Sequence, residues 1–138
     1  MGCTYSIDTE RNFIEVKFFG TMSVAEKIAH DEKILDDPRF RPNMDAVCDL
    51  REVLFDWQMQ DIDRLRSFVQ KVRGRIGAAR WAIVVNGGPT DFTAKVFTLL
   101  HLAYDKSIVI ELFKTPEAAT AWLECEQARA ARNSSVLL

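Results

Sequence analysis

The 138-residue chain lacks the features that mark exported, membrane-spanning and metal-binding proteins. Its N-terminus has neither the basic segment nor the apolar core of a signal peptide, and no apolar run approaches the roughly 18 residues that a membrane span needs. The three cysteines, Cys3, Cys48 and Cys125, are odd in number and far apart, which excludes a disulfide framework and a paired metal site. We therefore expect reduced thiols, no metal, no cofactor and a cytoplasmic location.

The chain also lacks an excess of charge of either sign, since 18 basic side chains face 20 acidic ones and the net charge is −2. Such a balance creates no general field for nucleic acid or for an anionic membrane, so membrane contact is peripheral at most. The basic stretch at 64–80 has no interleaved aromatic residues, which favours a solvated helix face over a nucleic-acid surface. The length predicts a single domain over 1–138, with residues 1–3 and 132–138 frayed.

Catalytic constellations are absent as well. The only histidines, His30 and His101, fall on two different predicted helices, and the carboxylates are not paired on one face. Cys48 lies among apolar neighbours, where a thiol is usually an inert small hydrophobe. A Cys48/His101 pair stays open as an alternative, but no local signature supports it, and we expect no enzymatic activity.

Hydrophobic periodicity gives the chain a regular order of elements. It predicts strands at 5–8, 13–18, 46–50, 81–85 and 107–113, and helices at 23–36, 62–76, 90–104 and from 115 onward. Ser23 and Glu26 form a capping-box pattern at the first helix. This order predicts an α/β protein with a mixed five-stranded sheet, an N-terminal β-hairpin and four helices. The helix at 90–104 is apolar nearly all round, so we expect it to be buried or to form a homodimer contact.

Three segments in this order resemble the SpoIIAA-like group of the STAS superfamily. They are the Asp49-Leu50 pair at the end of the third strand, the run WAIVV at 81–85 and the closing run VIELFKTPEAATAWL at 109–123. The likeness covers roughly residues 4 to 125. The resemblance implies a STAS-like fold and a regulatory or interaction module that binds a protein partner or a ligand.

The resemblance also directs attention to the loop after the third strand. In anti-sigma factor antagonists of the superfamily, this loop delivers a serine whose phosphorylation switches partner binding. Here the corresponding segment is Phe55-Asp56-Trp57-Gln58, which has no hydroxyl group, and the nearest downstream serine is Ser67, inside the helix. We therefore predict that this protein lacks the phosphorylation switch.

An aromatic-rich segment takes the place of that switch, and its four large apolar side chains are Leu54, Phe55, Trp57 and Met59. One interpretation is that they form a hydrophobic cover beneath the second helix. The alternative is that Trp57 and Met59 line a ligand groove or an exposed docking patch. With Arg64, Arg66 and Arg73 nearby, such a patch could contact a lipid-like ligand.

The carboxyl ends of the parallel strands form a second candidate region, because ligands of open α/β sheets favour that edge. The residues there are Asp49, Arg51, Asn86, Gly87, Gly88, Thr90 and Lys114. Free amides at the helix start could hold a carboxylate or phosphate. A plain strand-to-helix turn and a local Asp49–Arg51 charge pair are the alternatives.

Two functions follow as expectations. The first is binding of a protein partner, which predicts an exposed apolar patch and no cavity. The alternative is binding of a small apolar or lipid-like ligand, which predicts a pocket between the second and third helices and the sheet, with Trp57 at its mouth.

Overall fold

Strands and helices alternate around one mixed sheet in the computed structural model, which describes residues 2–88, 95 and 107–137. The elements are β1 (Gly2–Asp8), β2 (Phe13–Met22), α1 (Val24–Leu35), β3 (Asp45–Phe55), α2 (Met59–Ile76), β4 (Ala79–Val84), β5 (Ile108–Phe113) and α3 (Pro116–Leu137). The sheet order is β1-β2-β3-β4-β5, with β1 antiparallel to β2 and the other pairs parallel. The predicted mixed sheet with its N-terminal hairpin is confirmed.

The helix count differs from the predicted four because three helices lie within the described residues. Apart from Lys95, the helix predicted at 90–104 lies outside them, together with Thr90, His101 and the predicted dimer contact. β1 begins at Gly2 and α3 continues to Leu137, so secondary structure extends into both segments that we expected to be frayed. Fraying there stays a prediction. Among the described helices, none is long and apolar enough to cross a membrane.

The start of α1 follows the predicted capping pattern. The Ser23 hydroxyl oxygen accepts a hydrogen bond from the Glu26 amide at 3.2 Å, which satisfies one of the unpaired N–H groups of the first turn. The helix ends at Leu35, and the following cap residue, Asp36, donates its amide hydrogen to the Glu32 carbonyl. Pro38 follows the helix end, as predicted.

The prediction of β3 as a short strand at 46–50 is wrong, because the strand runs from Asp45 to Phe55. The reason is β2, which continues past Gly20 to Met22 and supplies a partner for the added residues. Gly20 adopts a φ of 81°, and the register between the two strands shifts near it, between Lys17 and Phe19. Leu54 and Phe55 therefore belong to the strand and not to a turn.

Alternation along the strands divides the apolar side chains between two faces of the sheet. One face, which we call the helix-pair face, is covered by α1 and α2 and holds the larger core. The opposite α3 face holds a smaller cluster formed by Phe13, Val47, Ala82, Val84, Ala119 and Leu123. Polar contacts also hold α3 in place, since the Gln127 amide donates to buried Asp45 at 2.9 Å.

Candidate functional site

A cavity of about 150 Å³ lies on the helix-pair face, between α1, α2 and the sheet. Its sheet side is formed by Ile14, Val16, Phe18, Ala46, Cys48, Leu50, Trp81 and Ile83, its helix side by Lys27, Asp31, Ile34, Leu35, Leu65, Phe68, Val69 and Ile76, and its ends by Phe40, Met44, Phe55 and Trp57. An engineered cavity of about 150 Å³ with apolar walls stays dry and binds benzene. The volume here is therefore enough for one small aromatic ring.

The spacing of apolar residues on α2 and the small residues on β3 explain how the cavity wall forms. On α2, Leu65, Val69 and Ile76 recur at helical spacing and all three are buried against the sheet. On β3, Ala46 and Cys48 occupy the positions that point to the helix pair, and both are smaller than their neighbours. Small side chains under a pair of helices leave space that larger ones would fill.

Phe55 and Trp57 form one end of the wall. Phe55 is buried, and its ring stacks on the Trp57 indole with the ring centres 4.0 Å apart. The indole N–H donates to the Met22 carbonyl at 3.0 Å, which fixes the ring against the end of β2. α2 begins just beyond, where Asp61 accepts a hydrogen bond from the Gln58 amide at 3.0 Å. These contacts hold Trp57 in the wall.

Leu54 and Met59 are in a different environment, although they flank the same segment. Their side chains are exposed, at 45% for Leu54 and 59% for Met59, and neither lines the cavity. The four apolar residues of the segment are thus divided into two that pack in the wall and two that face solvent. The cover interpretation therefore fits Phe55 and Trp57 but not Leu54 and Met59. The alternative fits Trp57, which lines the cavity, and Met59, which is exposed.

One ion pair lies in the otherwise apolar lining. Lys27 and Asp31, one turn apart on α1, form a salt bridge of 2.5 Å, and their side chains are 15% and 23% exposed. The Lys27 ammonium lies 4.8 Å from the centre of the buried Phe18 ring, within the range of a cation–π interaction. Burial by itself lowers the pKa of Lys27, but the Asp31 carboxylate outweighs it and the pKa is raised. The ammonium is therefore charged at neutral pH.

Cys48 lies in the same lining, and its burial raises the pKa of the thiol to about 12. A thiol with this pKa is protonated at neutral pH and is a poor nucleophile. His30 is on α1 and makes an edge-type contact with Phe18, with the ring centres 6.2 Å apart and the ring planes at 62°. No group of three or more His, Cys, Asp or Glu residues that could hold a metal ion occurs in the described part of the chain.

Thr90 lies outside the described residues, and the other residues predicted at the carboxyl ends of the strands do not line this cavity. The Arg51 guanidinium donates to both Asp49 carboxylate oxygens, at 3.0 and 2.8 Å. Burial alone would raise the pKa of Asp49, but the hydrogen bonds from Arg51 outweigh it and the pKa is lowered. The Asn86 side-chain amide donates to the Arg51 carbonyl at 3.0 Å, and its oxygen accepts from the Gly88 amide.

These contacts give the second candidate region a structural role. Asp49 and Arg51 form a local pair, Asn86 ties the end of β4 to β3, and Gly87 has a φ of 84°, which suits glycine in a turn. Asp49 alternates with Cys48 and is on the α3 face, away from the cavity. Ligand binding by these residues stays a prediction.

Sequence reasoning missed Lys27 and Asp31 as site residues. The signal was in the helical stripe at positions 24, 27, 28, 31, 34 and 35 of α1, in which apolar side chains are expected throughout. Two of those positions carry opposite charges. A charged pair inside an apolar stripe indicates either a buried ion pair or a polar point in a pocket, and here it is both.

Comparisons with known proteins identify the fold. No protein-family model matches the chain, and no curated protein matches it. Among solved structures, it is similar to an uncharacterised protein of the DUF3478 family from Shewanella loihica PV-4, described as having a SpoIIAA-like fold. The TM-score is 0.57 at 16% identity, over 88% of this chain and 94% of that one. The chain therefore has a SpoIIAA-like fold, as the resemblance of its sequence implies.

Proposed function

We propose that this protein is a non-enzymatic binding module whose ligand is a small apolar molecule held in the cavity between α1, α2 and the sheet. The cavity itself carries the proposal, because partner binding alone predicts none. α1, α2 and the sheet line it, and Trp57 lies in its wall. The helix predicted at 90–104 lies outside the described residues.

The volume limits the size of the ligand. Ligand pockets for drug-sized molecules span roughly 300 to 1,000 Å³, whereas about 150 Å³ suits a single ring or a short alkyl chain. Burying about 200 Å² of apolar ligand surface at about 25 cal/mol per Å² gives about 5 kcal/mol, or a dissociation constant of about 0.2 mM. We take toluene as the probe.

Titration calorimetry with toluene tests the proposal. Wild-type protein should bind one equivalent with sub-millimolar affinity, and the Ala46→Leu variant should not, because the added side chain occupies the cavity. Ala121→Leu is the matched control, since Ala121 is exposed on α3 and outside the lining. It should bind toluene like the wild type. If wild type and Ala46→Leu bind equally, or neither binds, the cavity is not a ligand site.

Partner binding is the second candidate function, and the exposure of Leu54 and Met59 favours it. Native mass spectrometry of protein purified from the cells that make it separates the two functions. A small mass excess that disappears on denaturation supports the ligand. A complex with a second polypeptide that is lost in Leu54→Ser/Met59→Ser, but not in Val109→Ser, supports the partner; Val109 is also 45% exposed but lies on β5.

A further inference from the structure

We infer that the ligand carries one uncharged hydroxyl group on its apolar body, as a phenol or a small alcohol does, and that Lys27 and Asp31 bind this group. This inference rests on the proposed function and specifies its ligand class. It begins from the position of the ion pair, whose two residues both line the cavity.

The first step is the charge of the lining. Among the described residues that line the cavity, Lys27 and Asp31 are the charged ones, and their charges cancel. The Cys48 thiol adds none, because its pKa is about 12. A ligand with a carboxylate or an ammonium group would leave a net charge in a largely apolar space, which costs free energy. The wall therefore favours a ligand with no net charge.

The second step is the hydrogen-bonding capacity of the pair. A lysine ammonium has three N–H donors, and Asp31 accepts from one of them through Oδ2. That bond uses one N–H group and one carboxylate oxygen, so each side chain keeps hydrogen-bonding capacity beyond it. A hydroxyl group both donates and accepts, so it can donate to the Asp31 carboxylate and accept from the Lys27 ammonium. A hydrocarbon can do neither.

The third step is the position of the charge within the wall. The Lys27 ammonium lies 4.8 Å from the centre of the Phe18 ring, which is almost fully buried, and it also contacts the Asp31 carboxylate, so two contacts hold the cation in place. Apolar side chains such as Val16 and Leu50 form the adjacent floor. The arrangement places one polar point beside one apolar space, which matches a small ring with one hydroxyl group.

Binding of toluene, phenol, benzoate and benzylamine to three proteins tests the inference. Wild-type protein should bind phenol at least as tightly as toluene and should not bind benzoate or benzylamine. In Lys27→Met/Asp31→Leu, toluene binding should persist and phenol should bind at least about tenfold more weakly, because its hydroxyl group is then buried without a partner. In Asp31→Asn, the remaining lysine charge should admit benzoate.

Matched controls are Lys33→Met and Glu32→Gln, which change exposed residues of the same helix outside the lining and should bind all four probes as the wild type does. If the wild type and Lys27→Met/Asp31→Leu bind toluene equally and also bind phenol equally, the hydroxyl inference is wrong, but the proposed binding of an apolar ligand is still supported. Absence of toluene binding in every protein overturns the function itself. If Asp31→Asn does not fold, the wild-type ranking of the four probes decides.

Discussion

Replacing Ala46 by leucine should stabilise the folded protein, in contrast to the usual effect of enlarging a core residue. Ala46 lies on β3 at the cavity floor, beside about 150 Å³ of space. Leucine adds three carbon atoms, fewer than the six of the benzene ring that a cavity of about 150 Å³ can hold, and so fits within that space. At about 0.8 kcal/mol per buried carbon, less about 1 kcal/mol for the side-chain entropy lost, the gain in unfolding free energy should be about 1 to 2 kcal/mol.

Ala82→Leu is the matched perturbation on the other face of the sheet. Ala82 is fully buried in the small cluster against α3, where Val47 and Leu123 are its neighbours. Adding the same three carbons to a packed cluster strains it and typically costs about 1 to 3 kcal/mol. The two alanines lie on neighbouring strands but on opposite faces of the sheet, and only Ala46 lines the cavity. Opposite changes in stability would therefore report on the cavity.

Thermal unfolding followed by circular dichroism measures both variants. For a chain of this length, 1 kcal/mol corresponds to a change in melting temperature of about 3 °C, so Ala46→Leu should raise the melting temperature by about 3 to 6 °C, and Ala82→Leu should lower it. A loss of stability in Ala46→Leu as large as that in Ala82→Leu would show that the space beside Ala46 is already filled. That result would refute the reasoning on which the ligand proposal depends.

Three further predictions concern polar contacts. Trp57→Phe keeps a ring in the wall but removes the hydrogen bond to the Met22 carbonyl, so urea denaturation should show a loss of about 1 kcal/mol. Asn43 has a φ of 68° and accepts from the Ala78 amide, so Asn43→Ala should cost about 1 to 3 kcal/mol in the same assay, with Asn43→Gly less affected. Folding lowers the pKa of Asp49, so the ionised carboxylate stabilises the folded protein above the unfolded pKa of about 3.9, and this stabilisation is lost as the pH falls through the folded pKa. The melting temperature of Asp49→Asn should therefore depend less on pH than that of the wild type in this acidic range.

The element order was predictable from the sequence because its signals are local. The capping residues of α1, the apolar stripe of α2 and the alternation in the hairpin each lie within one element. The length of β3 was not predictable in this way, since its last residues form a strand only because β2 continues beside them. Pairing between Thr21 and Leu54 joins residues far apart in the chain, and no local pattern encodes it.

The cavity could not be read from the sequence for a related reason. Whether small side chains such as Ala46 and Cys48 leave space depends on how α1 and α2 sit above them, and that packing is set by residues of five different elements. Trp57 was identified as a candidate from its unusual place after a strand. Its hydrogen bond to the Met22 carbonyl, which holds it in the wall, depends on the unexpected length of β2.

Ligand recognition explains the Lys27–Asp31 ion pair in the cavity wall better than a contribution to folding stability does. Pairs one turn apart on an exposed helix contribute about 0.3 to 0.5 kcal/mol, and a pair moved into an apolar environment loses much of its attraction to desolvation. Lys27 and Asp31 are 15% and 23% exposed, so they lie nearer the second case. Replacing both by apolar side chains of similar size should leave stability unchanged or raise it, because the desolvation cost disappears together with the attraction. The pair supplies the charged groups among the described lining residues. It can therefore decide which ligand enters even if it adds little to stability, since a buried hydroxyl group needs a hydrogen-bonding partner and apolar side chains supply none.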